Sequence, residues 1–308
     1  MTRVAAIDCG TNTIKLLVAD LDPATGAESA LVREMRIVRL GQGVDRTGML
    51  ADEALARTFA ATEEYGALLR DLGAERVRFC ATSAARDAGN SDVFMRGIAE
   101  RLGVEPEVVT GDIEAQLSFD GATRALGDVP GPVLVVDIGG GSTELILGDA
   151  ATGQVQAARS LDIGSVRITE RLLVSDPPTA AEIAAAVDVL DAQLDTLPSC
   201  GVEVARAVTV VGVAGTVTTM ACALLGLTAW DRDKVHLSRF PVADVHALAE
   251  DLLASTVAKR EERGIPAGRS DVIGAGALVL DRVLRRTGAD ALLVSDCDIL
   301  DGIAWSLV

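Results

Sequence analysis

Two stretches of the same pattern, 129 residues apart, decide the fold: VAAIDCGTNTIKLLV at residues 4–18 and VLVVDIGGGSTELIL at residues 133–147. Each runs from an apolar strand through Asp-x-Gly, two small residues and a hydroxyl residue into a second apolar strand. Each copy predicts a β-hairpin whose turn approaches another group closely. The repeat therefore predicts two similar domains that face each other across a cleft.

The rest of the chain alternates short apolar runs with longer helical patterns, an order typical of α/β proteins. Helices are predicted at 52–72, closed by Gly73, and at 180–197, opened by a capping box at Thr179. Strands are predicted at 4–7, 15–19, 31–38, 77–80, 108–110, 133–136, 145–147, 208–211 and 291–294.

A cluster of turn-forming residues, Gly127, Pro130, Gly131 and Pro132, lies between the two copies of the repeat. We therefore predict an N-terminal domain at residues 1–121 and a C-terminal domain at residues 122–308. The last helix of the second domain is free to pack back on the first.

The composition restricts the class of protein. The chain has 308 residues, is 49% hydrophobic and carries a formal net charge of −17. It can bury a sizeable core, so disorder is excluded. Duplex nucleic acids and anionic membrane surfaces are disfavoured as partners, since both are bound through clustered basic residues. The charge alone predicts a protein that avoids polyanions.

The sequence favours a cytoplasmic protein. The N-terminus meets an acidic residue after a few apolar ones, so we expect no signal peptide. The uncharged stretch 207–230 is better explained as a strand, a Gly-rich turn and a buried helix than as a membrane span. The five cysteines are scattered and there are two histidines, which favours reduced thiols over disulfides or a zinc site.

Three turns of glycine and hydroxyl residues, at 10–13, 139–143 and 212–216, carry the candidate chemistry. Such turns present backbone N–H groups that can hold phosphate oxygens without a cationic side chain. An Asp at the end of the preceding strand suits a divalent cation. For the turn at 212–216, a role of the glycines in helix packing remains an equal alternative.

The motifs together resemble the exopolyphosphatase / guanosine pentaphosphate phosphatase family, a part of the actin–hexokinase–chaperone superfamily. The resemblance rests on the three turns, on ATSAAR at 81–86 and GDIEA at 111–115, on Arg269-x-Asp271 with Gly274 and Gly276, and on Ser295-Asp296 and Asp301-Gly302. It covers essentially the whole chain in the family's order. It implies two ribonuclease-H-like (actin-like ATPase) domains flanking a cleft.

The resemblance also implies roles for individual residues. Glu114 matches the catalytic glutamate that orients and deprotonates the attacking water; the alternative is a solvated carboxylate at a helix N-terminus. Asp137 and Glu144 match residues that hold the divalent metal, Mg²⁺ or Mn²⁺, and Asp8 is expected to share it. A turn acid at a strand end is the alternative for Asp137. The residues expected to bind phosphate are Asn12, Thr13, Arg86, Gly139, Gly140, Gly141, Ser142, Ser165, Gly215, Thr216 and Arg269.

The sequence departs from the family pattern at a few positions. Ile113 replaces the first residue of the usual acidic pair, which leaves Glu114 as the one carboxylate there, and Thr13 stands where Ser is common. The chain matches the short, two-domain form of the family. The shorter surface favours short polymers as substrates.

The expected reaction is the metal-dependent, processive hydrolysis of terminal phosphate from inorganic polyphosphate. Alternatives are a guanosine pentaphosphate 5′-phosphohydrolase, a non-catalytic polyphosphate or nucleotide sensor, and a sugar or acetate kinase of the same superfamily. ADP and ATP are further candidate ligands. A two-fold homodimer is the expected oligomer.

Overall fold

The computed structural model describes residues 1–308, and the chain divides into two compact units. Unit 1 comprises Met1–Gly121 and Ile299–Val308, and unit 2 comprises Ala122–Asp298. The predicted boundary lies at the same peptide, although the prediction counts the C-terminal segment within the second domain. In the structure that segment belongs to unit 1.

The secondary structure consists of eleven strands and thirteen α-helices, with two short 3₁₀ turns at Leu197–Cys200 and Val204–Arg206. The strands are β1 Thr2–Cys9, β2 Thr13–Asp22, β3 Ala27–Ile37, β4 Arg76–Ala81, β5 Glu107–Val108, β6 Val133–Ile138, β7 Thr143–Asp149, β8 Gln154–Leu161, β9 Thr209–Val213, β10 Arg239–Pro241 and β11 Ala291–Val294. The helices are α1 Val44–Thr47, α2 Asp52–Leu72, α3 Ser83–Asp87, α4 Ser91–Leu102, α5 Gly111–Arg124, α6 Ser165–Leu172, α7 Ala180–Leu194, α8 Ala214–Leu224, α9 Arg232–Val235, α10 Val242–Ala254, α11 Val257–Glu262, α12 Ile273–Leu284 and α13 Ile299–Trp305.

The two units contain sheets of the same order. The sheet of unit 1 runs β3-β2-β1-β4-β5, and the sheet of unit 2 runs β8-β7-β6-β9-β11 with β10 added at the edge. In each, the first three strands of the unit form an antiparallel meander, and the fourth lies parallel to the first. This shared mixed topology confirms the predicted pair of ribonuclease-H-like α/β domains.

The central strands are buried on both faces. All six residues of β6 are buried, and in β1 every residue from Val4 to Cys9 is buried. Such buried runs, apolar except for one aspartate each, fit strands covered by helices on both sides of the sheet. The core of unit 1 lies on both faces of its sheet, and α13 fills one of them through Ile303 and Ala304.

Local signals in the sequence set several element ends. Helix α2 has the predicted bounds and ends at Gly73, whose positive φ of 67° accommodates the left-handed cap. Helix α7 begins with the predicted capping box between Thr179 and Glu182. It ends at Leu194 rather than at the predicted residue 197, since Pro198 cannot continue an α-helix.

Two strands were missed by the sequence analysis. Strand β8 carries four polar residues in eight and has only partial burial, so no apolar run marks it. Strand β10 has three residues. The stretch 207–230 forms β9 and the buried helix α8 as predicted, but α8 begins at Ala214 directly after β9, so no separate turn lies between them. No helix of the chain has both the length and the apolar character needed to span a membrane.

Candidate active site

The two hairpins of the repeat close with the same hydrogen bond. In unit 1 the amide of Gly10 donates to the carbonyl of Thr13 (2.9 Å), and in unit 2 the amide of Gly139 donates to the carbonyl of Ser142 (3.0 Å). The sequence repeat is therefore also a repeat of hydrogen bonding. Each turn lies at the carboxyl end of the central strand of its own sheet.

The turn of unit 2 has its carbonyl groups occupied and its amide groups available. The carbonyls of Gly139, Gly140 and Gly141 all accept hydrogen bonds from the N-terminus of α6. The amides of Gly140, Gly141 and Ser142 donate to no protein group. Successive N–H groups in such a turn form an anion-binding concavity. The predicted phosphate-binding role of this turn fits its geometry.

Glycine at position 164 makes this arrangement sterically possible. A Cβ atom on Gly164 would overlap the backbone of Gly140 and Gly141. The amide of Ser165 donates to the carbonyl of Gly139 (2.9 Å), and its hydroxyl donates to the same oxygen (3.2 Å). The predicted phosphate contact at Ser165 is therefore engaged within the protein, because the N-terminus of α6 is closed by the turn. Ser165 supports the turn that would hold the phosphate.

The turn of unit 1 is fixed by neighbouring loops. The carbonyl of Asn12 accepts the amides of Val38 and Arg39, at 3.0 and 2.9 Å. The buried hydroxyl of Thr11 hydrogen-bonds that of Ser83 (2.8 Å). Asn12 and Thr13, the predicted phosphate contacts, remain partly exposed between these anchors.

Two carboxylates share one row of the unit 2 sheet. Asp137 and Glu144 are directly opposite in the antiparallel pair β6–β7, so their side chains lie on the same face. Both are buried. The next residue of the row, Ser160 on β8, donates its hydroxyl to Oε1 of Glu144 (2.6 Å). Asp137 is thus not an isolated turn acid.

The equivalent row of unit 1 has a different charge. Asp8 lies opposite Lys15, and the Lys15 ammonium is 3.4 Å from Oδ2 of Asp8. Lys15 occupies the position that Glu144 has in the second hairpin. The sequence analysis did not single out Lys15, although the repeat offset places it opposite Asp8. The ion pair with Lys15 reduces the negative charge at Asp8, whose predicted share in a metal site stays a prediction.

The donor set of unit 2 suits magnesium bound mainly through water and phosphate. Mg²⁺ commonly takes one or two carboxylates and completes its octahedron with water and substrate oxygens. Asp137 and Glu144 provide such a pair. No cluster of three His, Cys, Asp or Glu side chains that could hold a metal ion is present. This pair fits a hydrated hard cation and does not fit a cage of protein ligands.

Glu114 is buried at the start of α5 and paired with Arg86. Its side chain is 7% exposed, whereas the adjacent Ile113 is 44% exposed. The Arg86 guanidinium donates to Oε2 of Glu114 (2.5 Å) and to the carbonyl of Val109 (2.9 Å). The alternative of a solvated helix-terminal carboxylate is therefore wrong. Arg86, predicted as a phosphate contact, orients Glu114 in this structure.

The third turn combines backbone strain with side-chain packing. Ala214, at the start of α8, has a positive φ of 64°, a conformation that costs free energy for a residue with a Cβ. A Cβ on Gly215 would overlap the guanidinium of Arg269. Thr216, predicted as a phosphate contact, is buried and packs on Gly276 of α12. The glycines of this region therefore do have a packing role.

Arg269 lies directly against the first turn of α8. Burial lowers the pKa of its guanidinium, and the nearby carboxylate of Asp298 opposes that shift. Asp298 is itself buried. The sequence analysis overlooked Asp298, because the contact joins positions far apart in the chain and no motif marks it. The Arg269 guanidinium therefore lies beside Gly215 at the N-terminus of α8. The helix dipole favours an anion at the same end.

These features define a protein of two ribonuclease-H-like α/β units, each with a turn of glycine and hydroxyl residues after its central strand. Residues 18–308 match the model of the Ppx/GppA phosphatase family. The chain belongs to that family, as the sequence motifs indicated.

Individual relatives cover the whole chain. It is 49% identical to exopolyphosphatase 2 of Mycobacterium tuberculosis, over 100% of this chain and 99% of that protein. A crystal structure of an exopolyphosphatase-like protein has a TM-score of 0.95 and 42% identity, and covers 99% of this chain and 97% of that chain. A Ppx/GppA family member from Aquifex aeolicus has a TM-score of 0.83 and 30% identity, with coverage of 99% and 97%.

Proposed function

We propose that the protein is an exopolyphosphatase that releases terminal phosphate from inorganic polyphosphate in a processive, metal-dependent reaction. The observation that carries the proposal is the turn at 139–142, whose carbonyls are occupied while three successive amides are free to donate. Such a turn recognises a phosphate chain by its oxygens and requires no base or sugar. The name of the M. tuberculosis relative supports the same substrate class.

Glu114 is the proposed catalytic base. Its burial removes competing water, and Arg86 fixes the carboxylate by a hydrogen bond of 2.5 Å. A positioned carboxylate can accept a proton from the attacking water as the P–O bond breaks. The reaction depends more on position than on covalent chemistry, which suits a group held by an arginine and a helix start.

Asp137 and Glu144 are the proposed ligands of Mg²⁺ or Mn²⁺. The metal would supply neutralisation of phosphate charge and polarisation of the phosphorus centre. The protein's own part is to hold the two carboxylates on one sheet row, with Ser160 fixing Glu144. The Arg269 guanidinium packed against Gly215 is the proposed second anion-binding position of the same unit.

The substitution Glu114→Gln tests the assignment. It keeps size and hydrogen bonding but removes the basic oxygen, so phosphate release should fall by roughly 10²–10⁴-fold. Polyphosphate binding, measured by equilibrium dialysis, should persist. As a control, Asp112→Asn makes the same acid-to-amide change at an exposed position of the same helix and should retain activity. Full turnover in the Glu114→Gln protein would refute the catalytic role, and binding without any turnover in the unmodified protein would favour a sensor.

A guanosine pentaphosphate phosphohydrolase is the second candidate, and one feature favours it. Trp230 is 51% exposed and lines a cavity of about 490 Å³ formed by residues 227–234. Arg232 joins this segment to Asp296, after the carboxyl end of β11 (2.7 Å). An exposed indole can stack on a nucleobase, which polyphosphate lacks.

Intrinsic fluorescence separates the two candidates, because Trp305, the second tryptophan, is buried in unit 1. If a nucleotide is the substrate, guanosine pentaphosphate should change the emission of Trp230 and tripolyphosphate should not. The change should disappear in Trp230→Phe. Equal responses to both compounds, together with faster phosphate release from polyphosphate, would exclude the nucleotide candidate.

We further propose a cytoplasmic protein that forms a two-fold homodimer and accepts ADP or ATP as accessory ligands. All five cysteines are free, which is typical of a reducing compartment. Cell fractionation tests the location, and light scattering tests the oligomeric state. Competition of ADP with polyphosphate tests the binding of nucleotides.

A further inference from the structure

A buried arginine lies beneath the turn that carries Arg269. Arg260, on α11, is 3% exposed. Its Nε donates to the carbonyl of Leu252 at the end of α10 (2.9 Å), and its Nη1 donates to the carbonyl of Ser270 (2.8 Å). The guanidinium therefore bridges a helix C-terminus and the turn at 266–272.

The surroundings of Arg260 are shaped to admit it. A Cβ on Gly274 would lie 2.9 Å from its Nη2 atom, so glycine leaves the room that the guanidinium needs. Burial lowers the pKa of Arg260, and the carboxylates of Asp176 and Asp271 oppose that shift.

The turn at 266–272, whose Ser270 carbonyl accepts a hydrogen bond from Arg260, also carries Arg269. The Arg269 guanidinium contacts α8. Within the turn, the amides of Arg269 and Ser270 both donate to the carbonyl of Pro266, at 2.8 and 3.0 Å. The hydroxyl of Ser270 donates to Glu261, the residue after Arg260 (2.7 Å). Two successive residues of α11, Arg260 and Glu261, therefore form hydrogen bonds with this turn. The side chain of Arg269 extends from this turn to α8. Its guanidinium occupies the space that a Cβ atom on Gly215 would need.

We propose that Arg260 is a positioning residue for phosphate binding, which acts by fixing the turn that lays Arg269 against Gly215. The inference rests on the proposed function, in which Arg269 binds phosphate. The planar fork of arginine spans the two carbonyls, whereas the single ammonium of lysine cannot reach both in the same geometry. Arg260 has no contact with substrate in this role.

A double-mutant cycle on the full chain tests the proposal, with KM and kcat measured for phosphate release from polyphosphate. Arg269→Ala should raise KM roughly thirtyfold, as expected for a lost charged hydrogen bond. Arg260→Lys should raise KM roughly tenfold with a smaller change in kcat. In the Arg269→Ala background, Arg260→Lys should add less than a twofold effect, because its action passes through Arg269.

Two further variants keep the test informative. Glu261→Ala removes the hydrogen bond from Ser270 on the exposed side of the same turn and leaves no buried charge. It should raise KM less than Arg260→Lys does. This rise in KM should also disappear in the Arg269→Ala background. Arg263→Lys, at an exposed arginine paired with Asp251, should change neither constant. Additive effects of positions 260 and 269 would overturn the positioning role. Unchanged KM in Arg269→Ala alone would instead show that the phosphate-binding role of Arg269 is wrong, and the inference would fall with it.

Discussion

Asp8 and Asp137 are equivalent residues of the repeat, yet the residues across from them differ in charge. Asp8 faces Lys15, and Asp137 faces Glu144. Lysine at position 15 and glutamate at position 144 thus separate a charge-balanced row from an acidic row. A divalent cation is attracted to two carboxylates and repelled by an ammonium, so we expect the metal at the row of Asp137 and Glu144 rather than at Asp8.

Removing either aspartate should therefore affect metal dependence differently. Asp137→Asn should raise the Mg²⁺ concentration for half-maximal activity at least tenfold, since outer and inner ligands of a metal contribute about this much. Asp8→Asn should leave that midpoint within twofold and should change KM for polyphosphate instead, because it releases Lys15. Titration of activity with Mg²⁺ at saturating substrate measures both. If both variants raise the Mg²⁺ concentration for half-maximal activity equally, Asp8 is a metal ligand as the sequence predicts.

At the scale of elements, α13 connects the end of the chain to the helix of Glu114. A Cβ on Gly302 would overlap the backbone carbonyl of Leu117 on α5, three residues after Glu114. Arg33 on β3 forms an ion pair with the buried Asp301 and holds α13 on the sheet. The Asp301-Gly302 motif is thereby explained by helix docking within unit 1.

Gly302→Ala should consequently affect the reaction as well as stability. The added methyl group forces α5 and α13 apart, which should cost about 1–3 kcal/mol of unfolding free energy. It should also lower kcat roughly tenfold or more, because a displaced base loses its alignment. Denaturant titration and steady-state kinetics check the two effects.

A matched variant separates positioning from simple destabilisation. Ile303→Val lies on the same helix, is fully buried, and should cost about 1 kcal/mol through the lost methylene. It leaves the spacing of α5 and α13 unchanged, so its kcat should remain near that of the unmodified protein. Loss of stability without loss of kcat in Gly302→Ala would contradict the docking argument.

For the whole molecule, the sequence predicted what local patterns encode. The hairpin repeat, the bounds of α2 and the capping box of α7 follow from neighbouring residues. The contacts of Arg269 with Gly215, of Thr216 with Gly276 and of Arg86 with Glu114 join distant positions. Single-sequence patterns carry no signal for such contacts. The side chains of Thr216 and Ser165 are engaged within unit 2, which the sequence did not indicate, and their phosphate-binding role stays a prediction.

The net charge of −17 also belongs to the whole molecule, and it opposes the approach of a polyanion. In the proposed reaction the attraction comes from groups that act over short distances: the turn amides, Arg86, Arg269 and the proposed metal ion. Salt screens exposed charges over about 10 Å at 0.1 M, and it affects buried hydrogen bonds much less. Long-range repulsion is thus the part of the interaction that salt should remove.

Raising monovalent salt from low concentration to about 0.15 M, at saturating free Mg²⁺, should therefore increase kcat/KM for polyphosphate severalfold. A protein that binds through a basic surface shows the opposite trend, because salt weakens its attraction. Neutralising two exposed acids, Asp188→Asn with Glu105→Gln, should reduce the salt dependence without changing kcat, since both residues lie on the surface. A steep fall of kcat/KM with salt would mean that an extended basic surface, and not a set of local donors, captures the substrate.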